Sequence, residues 1–424
     1  MGRSVLVVGG GGREHALAWR LATSASVDRV ASAPGNPGLA DLGPVHALDP
    51  TDPPAVADLA ERLKCDLVVV GPEAPLVAGV VDELHRRGIA AFGPTAAAAR
   101  IEGSKAFAKQ VMDAAGAPTG AAVATADRDE AFAALERFGG PYVVKADGLA
   151  AGKGVTVTEQ LDEARRAVDA ALVDRVFGEA GARVVVEEYL DGPERSLFAV
   201  CDGTDAVLLA PAQDYKRVFD ADAGPNTGGM GAYSPVAGFG LADVGYLADV
   251  VFTPVLRELA DRGSPYRGLL YAGLVDTAAG PRLLEFNARF GDPETQAIMP
   301  RLSGDLGELL WAAATGSVAA AAPGWHDAAA VTVVLASGGY PGAYDTGRVI
   351  TGVEQAAATP GVEVFHAGTA RDADGALITA GGRVLAVTGS GADVAAARAC
   401  AYAAADHIHF DGVHRREDIA ALPG

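Results

Sequence analysis

Short apolar runs alternate with helical patterns along the first hundred residues. Residues 5–8 are all apolar and are followed by four consecutive glycines, and the next segment places leucines four residues apart on one helical face. Further apolar runs predict strands at 30–33, 67–70 and 90–92. Strands that alternate with helices predict an open parallel α/β sheet, whose ligands bind beyond the carboxyl ends of the strands.

The pattern changes at about residue 104. A helix predicted over 104–115 ends at a glycine and a nearby proline. The alanine run 319–322, which precedes Pro-Gly, is the best candidate for a linker. The other predicted elements are strands at 142–145, 155–158, 183–188, 196–200, 331–335, 362–366 and 383–388, a hairpin formed by 271–277 and 282–286, and a helix over 392–405.

Composition and charge exclude several classes of protein. The 424 residues carry 54 acidic and 34 basic side chains, a formal charge of −20, which disfavours nucleic acid and anionic membranes because phosphate contacts need clustered Lys and Arg. No apolar run approaches the roughly 18 residues of a membrane span, and the N-terminal one is too short for a signal peptide. Three scattered cysteines without a CxxC pair fit a reducing compartment. We therefore expect a cytoplasmic multidomain protein.

The glycine run after the first strand does not satisfy a dinucleotide fingerprint. The last glycine of that pattern falls on Glu14 or His15, and the second strand ends in Ala-Pro-Gly instead of an acidic residue. Glycine amides before a helix can still bind a single phosphate, with Arg13 as a partner. The alternative is a tight strand-to-helix turn. The glycines that would approach the phosphate are Gly10, Gly11 and Gly12.

A second glycine-rich loop is longer than a hairpin requires. Two to five residues suffice for a hairpin turn, whereas this loop has nine, 146–154, of which three are glycines. Glycine amides approach phosphate oxygens closely and lysines supply positive charge, which favours a lid over phosphates. It is not a Walker A loop, and a mobile surface hairpin is the alternative. The residues of interest are Lys145, Gly148, Gly152, Lys153 and Gly154.

An alternating segment predicts a metal site. Glu285, Asn287 and Arg289 share one face of a period-two strand, and Leu284 and Phe286 share the other. A carboxylate and an amide oxygen about 7 Å apart along one strand suit a hard cation such as Mg²⁺, which prefers oxygen ligands. The alternative is a strand with a solvated polar face.

Three shorter segments are weaker candidates. An acidic cluster after a strand could border a nucleotide or could be an ordinary turn. A charged run beside a glycine-rich loop could be a site or an irregular surface crossing. A Gly-Pro-Glu sequence follows a strand, where ligands bind in open sheets. No HExxH or GxSxG motif occurs in the sequence, which disfavours covalent catalysis. The residues concerned are Glu187, Leu190 and Glu194, Asp214 and Lys216, and Glu73, with Asp292 in the turn after Arg289.

Together these motifs resemble the phosphoribosylamine–glycine ligase (glycinamide ribonucleotide synthetase) family of the ATP-grasp superfamily. The resemblance runs in order along nearly the whole chain. It implies an N-terminal α/β substrate-binding domain over 1–103, an ATP-grasp domain over 104–322 with a lid subdomain at about 122–192, and a small α+β C-terminal domain over 323–424. The segments that carry it are 9–16, 70–76, 102–105, 145–154, 226–233 and 285–294.

The resemblance also implies ligands. ATP would lie between two subdomains with Mg²⁺ or Mn²⁺ at its phosphates, the metal being held by Glu285 and Asn287. Glycine and 5-phosphoribosylamine would be the substrates, and no obligate protein partner is implied. Many members of the superfamily have another acidic metal ligand further upstream, where this chain has Ala272 and Gly273. Asp276 is the nearby acid, so this chain departs from the two-metal pattern of those members.

The remaining implied roles divide the residues between nucleotide and substrates. Lys105, Lys145 and the glycine-rich loop would contact the ATP phosphates, and Glu187, Leu190 and Glu194 would surround adenine and ribose. The residues that would face glycine and phosphoribosylamine are Asp214, Lys216, Arg289 and Asp292 with Gly10, Gly11 and Gly12.

The implied reaction needs no protein nucleophile. The carboxylate of glycine would attack the γ-phosphate of ATP, and the amine of phosphoribosylamine would attack the resulting glycyl phosphate, so positioning and charge stabilisation suffice. A closed lid would exclude water. Another ATP-grasp carboxylate–amine ligase, a biotin-carboxylase-like enzyme and a catalytically silent nucleotide-binding module are the alternatives. Intact Lys105, Lys145, Glu285 and Asn287 argue against the silent module.

Overall fold

Four parallel strands form an open sheet at the N-terminus, as predicted. The computed structural model describes residues 2–149, 154–236, 239, 241–321 and 323–421. The strand order is Val27–Pro34, Arg3–Gly9, Leu67–Val70, Ala90–Phe92, with every neighbouring pair parallel. Leu67–Val70 is apolar and buried throughout, which is typical of a central parallel strand. The helices of this unit are Gly12–Ala22, Pro37–Ala40, Pro53–Leu63, Glu73–Val77, Val80–Arg86 and Ala96–Gly103.

A second sheet carries the glycine-rich loop. Its antiparallel order is Ala122–Thr125, Val184–Glu187, Tyr142–Ala146, Val155–Thr158. The predicted hairpin is confirmed, with Lys145 opposite Val155 and the amide of Ala146 bonded to Gly154 at 2.7 Å. The sheet packs its own apolar cluster against two helices, so this part has a core separate from the rest. Its helices are Arg128–Phe138 and Leu161–Leu172, with a 3₁₀ turn at Gly178–Gly181, and Lys105–Ala115 precedes it.

The central antiparallel sheet follows. Its order is Ala206–Leu208, Glu194–Asp202, Arg267–Thr277, Gly280–Asn287. It shares apolar clusters with the N-terminal sheet, so these two units form one continuous core. The helices of this part are Leu241–Leu247, Thr253–Asp261, Glu294–Ile298 and Leu306–Thr315, with a π-helical turn at Ala248–Phe252 and 3₁₀ turns at Met299–Arg301 and Val318–Ala320.

A bulge in the last central strand corrects the predicted alternation. Gly273 lies opposite Glu285 and Leu274 lies opposite Leu283, so Leu284 is the extra residue. Leu283 therefore lies in the core, whereas Leu284 faces the same cavity as Glu285. The prediction that Leu284 shares the face opposite Glu285 with Phe286 was wrong for Leu284, because a period-two pattern slips by one residue at a bulge.

The C-terminal sheet draws strands from two parts of the chain. Its antiparallel order is Gln213–Asp214, Gly231–Ser234, Ala329–Ala336, Arg383–Gly391, Val362–His366. Its first two strands precede the linker predicted at 319–322, so the sheet crosses that boundary; the domain limits themselves stay a prediction. Two ribbons, Arg217–Phe219 with Ala223–Asn226 and Thr369–Arg371 with Leu377–Thr379, and the helices Val353–Ala357 and Val394–Ala405 complete this part.

Candidate functional site

One cavity of about 770 Å³ lies where the four sheets converge. Its walls come from the N-terminal unit, the lid hairpin, the central strand Gly280–Asn287 and the C-terminal sheet. Such concave sites at domain junctions are where small ligands usually bind. The predicted site residues in its walls are Arg13, Glu73, Lys105, Lys145, Glu187, Leu190, Glu194, Asp214, Lys216, Glu285, Asn287, Arg289 and Asp292.

Five of the predicted glycines do not line the cavity. Gly10, Gly11, Gly12, Gly148 and Gly154 are outside its walls. The amide of Gly148 donates to the carbonyl of Ala180 at 3.1 Å, so it is already used within the protein. Gly152 and Lys153 lie outside the described residues, and the phosphate roles of this loop stay a prediction.

Buried lysines form one end of the cavity. Lys145 lies 3.0 Å and Lys109 3.4 Å from the same carboxylate oxygen of Glu187. Burial alone would lower the pKa of Lys145, but the Glu187 and Glu285 carboxylates raise it above the ordinary value. Lys105 reaches the carbonyl of Gly148 at 3.4 Å, and burial lowers its pKa. Positive side chains that line a cavity suit a polyphosphate.

Asp147 fixes the base of the lid to the helix that carries Lys105. Its carboxylate accepts hydrogen bonds from the hydroxyl of Ser104 at 2.9 Å and the amide of Ala106 at 2.7 Å. Its backbone carbonyl accepts from the amide of Lys105 at 3.0 Å. The helix that begins at Lys105 is capped by Ser104, so the lid hairpin and this lysine are held as one unit.

The predicted metal ligands lie on the same strand face. Glu285 and Asn287 both line the cavity. Burial would raise the pKa of Glu285, but Lys145, Lys216 and Lys105 hold it below the ordinary value, so the carboxylate is charged. The amide oxygen of Asn287 accepts a hydrogen bond from Arg289 at 3.2 Å, and a metal would replace that donor.

The donor chemistry of this face fits one divalent cation. A charged carboxylate and an amide oxygen are the hard oxygen ligands that Mg²⁺ and Mn²⁺ take, with phosphate oxygens and water completing the shell. Among the described residues there is no group of three or more His, Cys, Asp and Glu side chains that could hold a metal by itself. Asp276, the nearest upstream acid, is paired with Arg195.

Arg289 joins the central strand to the N-terminal unit. Its guanidinium lies 3.0 Å from Glu102 and 3.3 Å from Glu73. The other oxygen of Glu102 accepts from the amide of Ala288 at 2.6 Å. Sequence reasoning missed the role of Glu102, although it stands in a segment that carried the resemblance. Its carboxylate fixes the backbone between the two predicted metal ligands and the arginine, which makes it a positioning residue.

The buried carboxylate of Glu14 holds the glycine run in place. Glu14 accepts from the amide of Gly11 at 2.7 Å and pairs with Arg13. Gly9 has φ +129°, and a side chain there would overlap Glu14, so only glycine fits this turn. The carbonyl of Gly10 accepts from Asn36 at 2.9 Å. The amide of Gly11 is therefore occupied, which favours the turn over the phosphate loop at this position.

A cluster of opposite charges forms the other end of the cavity. Lys216 is paired with Glu194 and lies 3.5 Å from Asp214. Burial would lower the pKa of Lys216, but Asp214 and Glu194 raise it well above the ordinary value. Burial raises the pKa of Asp214 to about 7, with Lys216 opposing and Glu294 and Glu194 adding to the rise. Asp214 can therefore exchange a proton near neutral pH.

The C-terminal part of the chain supplies two cavity residues that sequence reasoning missed, Arg383 on the strand Arg383–Gly391 and Tyr340 in the turn after Ala329–Ala336. Arg383 lies 3.3 Å from the carboxylate of Asp292 and donates to the backbone carbonyl of Asp292 at 2.7 Å. It also bonds to the carbonyl of Gly228, whose amide donates to the hydroxyl of Tyr340 at 3.0 Å. Nothing local in the sequence marks Arg383 and Tyr340, because only long-range contacts bring them to the site.

Comparison with family models gives three matches in chain order. The phosphoribosylglycinamide synthetase N domain matches residues 3–102, the ATP-grasp (A) domain of the same family matches 103–295, and its C domain matches 330–422. Together these matches cover most of the chain.

Curated relatives and solved structures agree with the family models. A phosphoribosylamine–glycine ligase of Streptomyces coelicolor is 53% identical over 420 residues, and one of Phenylobacterium zucineum is 52% identical over 417 residues, each match covering 98% of both chains. The crystal structure of a phosphoribosylamine–glycine ligase from Thermotoga maritima aligns with a TM-score of 0.83 at 34% identity, over 98% of this chain and 100% of that one. A biotin carboxylase domain from Hydrogenobacter thermophilus, solved with MgADP and bicarbonate, aligns over 98% of this chain and 92% of that one with a TM-score of 0.73 at 16% identity and shows likeness of fold alone.

Proposed function

The chain belongs to the phosphoribosylglycinamide synthetase family, and from this premise we infer that its cavity ligates glycine to 5-phosphoribosylamine at the expense of ATP. It is an ATP-dependent carbon–nitrogen ligase of purine biosynthesis that works with Mg²⁺ or Mn²⁺. The products are glycinamide ribonucleotide, ADP and phosphate. The intermediate is glycyl phosphate, so glycine must meet the γ-phosphate first and the amine second.

One observation supports this reaction above all. A single cavity has buried lysines at one end, a charged carboxylate and an amide oxygen on the strand between, and a proton-exchanging carboxylate at the other end. These are the parts that phosphoryl transfer to a carboxylate, followed by attack of an amine, requires.

The nucleotide occupies the lysine end. Lys105 and Lys145 contact its phosphates, and the loop 148–154, including Gly148, Gly152, Lys153 and Gly154, closes over them. Leu190 borders the adenine, near the backbone of Glu187, whose carboxylate is held by two lysines. Glu194, whose carboxylate acts on both Lys145 and Lys216, binds the ribose where the nucleotide meets the substrates. The lining of the cavity supports the roles of Lys105, Lys145, Glu187, Leu190 and Glu194, whereas the role of the loop rests on the family resemblance alone.

The metal is held by Glu285 and Asn287. When bound, it neutralises charge on the phosphates during transfer. The chain's own contribution is to keep Glu285 ionised by surrounding it with three lysines. The contacts of Glu102 with Ala288 and Arg289 fix the course of the backbone directly after the strand that carries Glu285 and Asn287.

The substrates occupy the acidic end, where proton transfer takes place. Arg289 and Lys216 stabilise charge on the glycine carboxylate and on the acyl phosphate. Asp214 takes the proton from the attacking amine, a role for which a pKa of about 7 is suited. Glu73, Asp292 and Arg13, which line the cavity, border phosphoribosylamine. The contact of Gly10, Gly11 and Gly12 with this substrate stays a prediction, since these glycines lie outside the cavity walls and Glu14 holds the amide of Gly11.

Asp214 gives a pH prediction. A base must be ionised to act, so kcat/KM for phosphoribosylamine should rise with pH through about 7 and level off above it. Asp214→Asn should lower this value about a hundred-fold or more and remove the acid limb. The rate is measured as ADP release at saturating glycine and MgATP.

A partial reaction provides the control for Asp214. Hydroxylamine is already neutral at these pH values and traps glycyl phosphate without a base. Glycine-dependent hydroxamate formation should therefore survive in Asp214→Asn. An unchanged acid limb in that variant would assign the limb to another group and remove Asp214 from the mechanism.

The proposed function is tested by omitting substrates in turn. Purified protein with ATP and Mg²⁺ should release ADP only when glycine and phosphoribosylamine are both present, the labile amine being generated in place from ribose 5-phosphate and ammonia. Turnover with a different acid and amine would contradict the named reaction. ATP binding with no turnover for any pair would indicate the silent module instead.

Partners and location complete the proposal. Glycine, phosphoribosylamine and ATP are the small-molecule partners, and we propose a cytoplasmic enzyme without nucleic-acid, membrane or obligate protein partners. No helix in the described part of the chain is long and apolar enough to cross a membrane.

A further inference from the structure

One buried carboxylate in the cavity forms no ion pair within 4.0 Å in the described part of the chain. Glu294 is 3% exposed and lines the cavity. Its one polar contact among the described residues is the hydroxyl of Ser196, at 3.4 Å. That hydroxyl is shared with the phenol of Tyr271, which lies closer, at 2.7 Å. Buried carboxylates are normally paired or fully hydrogen-bonded because burying a lone charge is costly, so Glu294 departs from the rule.

The neighbouring cations are already taken by other acids. Arg289 is held by Glu73 and Glu102, and Arg383 by Asp292. Lys216 is paired with two further carboxylates, and Arg13 is paired with Glu14. Arg289 and Arg383 act on Glu294 only from beyond ion-pair distance. This end of the cavity therefore has an excess of negative charge, and the same excess helps to raise the pKa of Asp214.

Glu294 is unusual among the acids that line the cavity. Apart from it, only Glu285 and Glu188 lack an ion pair within 4.0 Å in the described part of the chain. Glu285 faces three lysines and is proposed to hold the metal. Glu188 is exposed. Glu294 is therefore the buried acid of the cavity that has no direct ion pair until a ligand supplies the positive charge.

One of the proposed substrates, glycine, carries the positively charged group that Glu294 lacks as a partner. Glycine is a zwitterion, and its carboxylate must point towards the nucleotide to be phosphorylated, which directs the ammonium group away from it. We propose that Glu294 binds the ammonium group of glycine and makes the site selective for an amino acid over other small carboxylic acids. This inference rests on the proposed function, and it assigns Glu294 a role in substrate specificity.

Removing the charge of Glu294 should weaken the binding of glycine strongly and leave the binding of ATP unchanged. Glu294→Gln should raise KM for glycine about ten- to a hundred-fold, because a hydrogen bond to a charged group is weakened. KM for ATP should stay unchanged because the lysine end of the cavity is intact. Glu294→Asp keeps the charge on a shorter side chain and should lose less.

The experiment compares glycine with glycolate, which has a hydroxyl in place of the ammonium group. ADP release and hydroxamate formation are measured for both acids, and glycolate is also tested as a competitor of glycine. The wild-type protein should prefer glycine strongly, and Glu294→Gln should largely lose that preference. Glu363→Gln is the matched control, since Glu363 is a half-buried acid outside the cavity; it should leave both values unchanged.

Each result decides for or against the proposal. A folded Glu294→Gln protein with an unchanged KM for glycine would overturn it, and so would an equal loss for both acids. A changed Mg²⁺ requirement with the preference for glycine intact would assign Glu294 to a second metal ion instead. If the variant does not fold, glycolate competing as well as glycine in the wild type would refute the proposal, and weak competition would support it. Absence of any glycine-dependent ADP release in the wild type would refute the proposed function itself.

Discussion

Glu285→Ala is expected to lower turnover about a thousand-fold, since a bound metal contributes several kcal/mol to stabilising charge in the transition state. Glu285 supplies the charged ligand of the proposed metal site, and Asn287 supplies a neutral amide oxygen that Arg289 also uses. We therefore expect a smaller loss for Asn287→Ala. Both residues lie on the polar face of a strand, so neither change should unfold the protein.

The dependence on metal concentration makes this prediction specific. ADP release is measured while Mg²⁺ is titrated from limiting to saturating, and Asn287→Ala should need more metal for half-maximal rate. Glu258→Ala provides a control, because Glu258 is a helical residue paired with Arg262 away from the cavity. Unchanged activity of Glu285→Ala at limiting Mg²⁺ would remove the metal assignment.

Glu285 also shows how far the sequence alone could reach. A period-two pattern was enough to place Glu285 and Asn287 on one strand face that lines the cavity, because alternation is a local property of strands. The same pattern misplaced Leu284, because the bulge depends on how the neighbouring strand pairs. Local spacing also predicted the four N-terminal strands, each an apolar run bounded by turn residues.

The residues that were missed reach the site through long-range contacts. Glu102 ends a helix of the N-terminal unit and bonds to Ala288, and Arg383 comes from a strand near the C-terminus. No spacing in the sequence links these positions to residue 289. Glu294 was visible in the motif after Arg289, but its lack of a close ion pair could be found only from burial and distances.

The glycine run illustrates an ambiguity that local chemistry could not resolve. Four glycines before a helix fit either a phosphate loop or a tight turn. The structure shows the amide of Gly11 bonded to Glu14 and a backbone angle at Gly9 that only glycine adopts easily. The turn accounts for these two glycines, and the proposed contact with phosphoribosylamine is left to the remaining groups of the loop.

Arg289→Lys is expected to reduce kcat about a hundred- to a thousand-fold, comparable with removal of an oxyanion donor. The guanidinium has donors for Glu73, Glu102 and Asn287 at once, whereas an ammonium group is a single point of charge. The variant keeps the positive charge but loses the separate guanidinium donors that hold Glu73 and Glu102. KM for ATP should change little, because Arg289 lies at the substrate end of the cavity.

A double-mutant cycle separates the chemical role of Arg289 from its structural one. Burial raises the pKa of Glu102 above its ordinary value in spite of Arg289, so losing the guanidinium donors leaves this carboxylate poorly paired and should lower Tm. Glu102→Gln in the Arg289→Lys background should restore part of the Tm because it removes that buried charge. It should not restore kcat, since the donors that stabilise the acyl phosphate are still absent. Recovery of kcat together with Tm would show that Arg289 acts only by holding the strand end in place, and Arg262→Lys, a surface change, sets the baseline for both measurements.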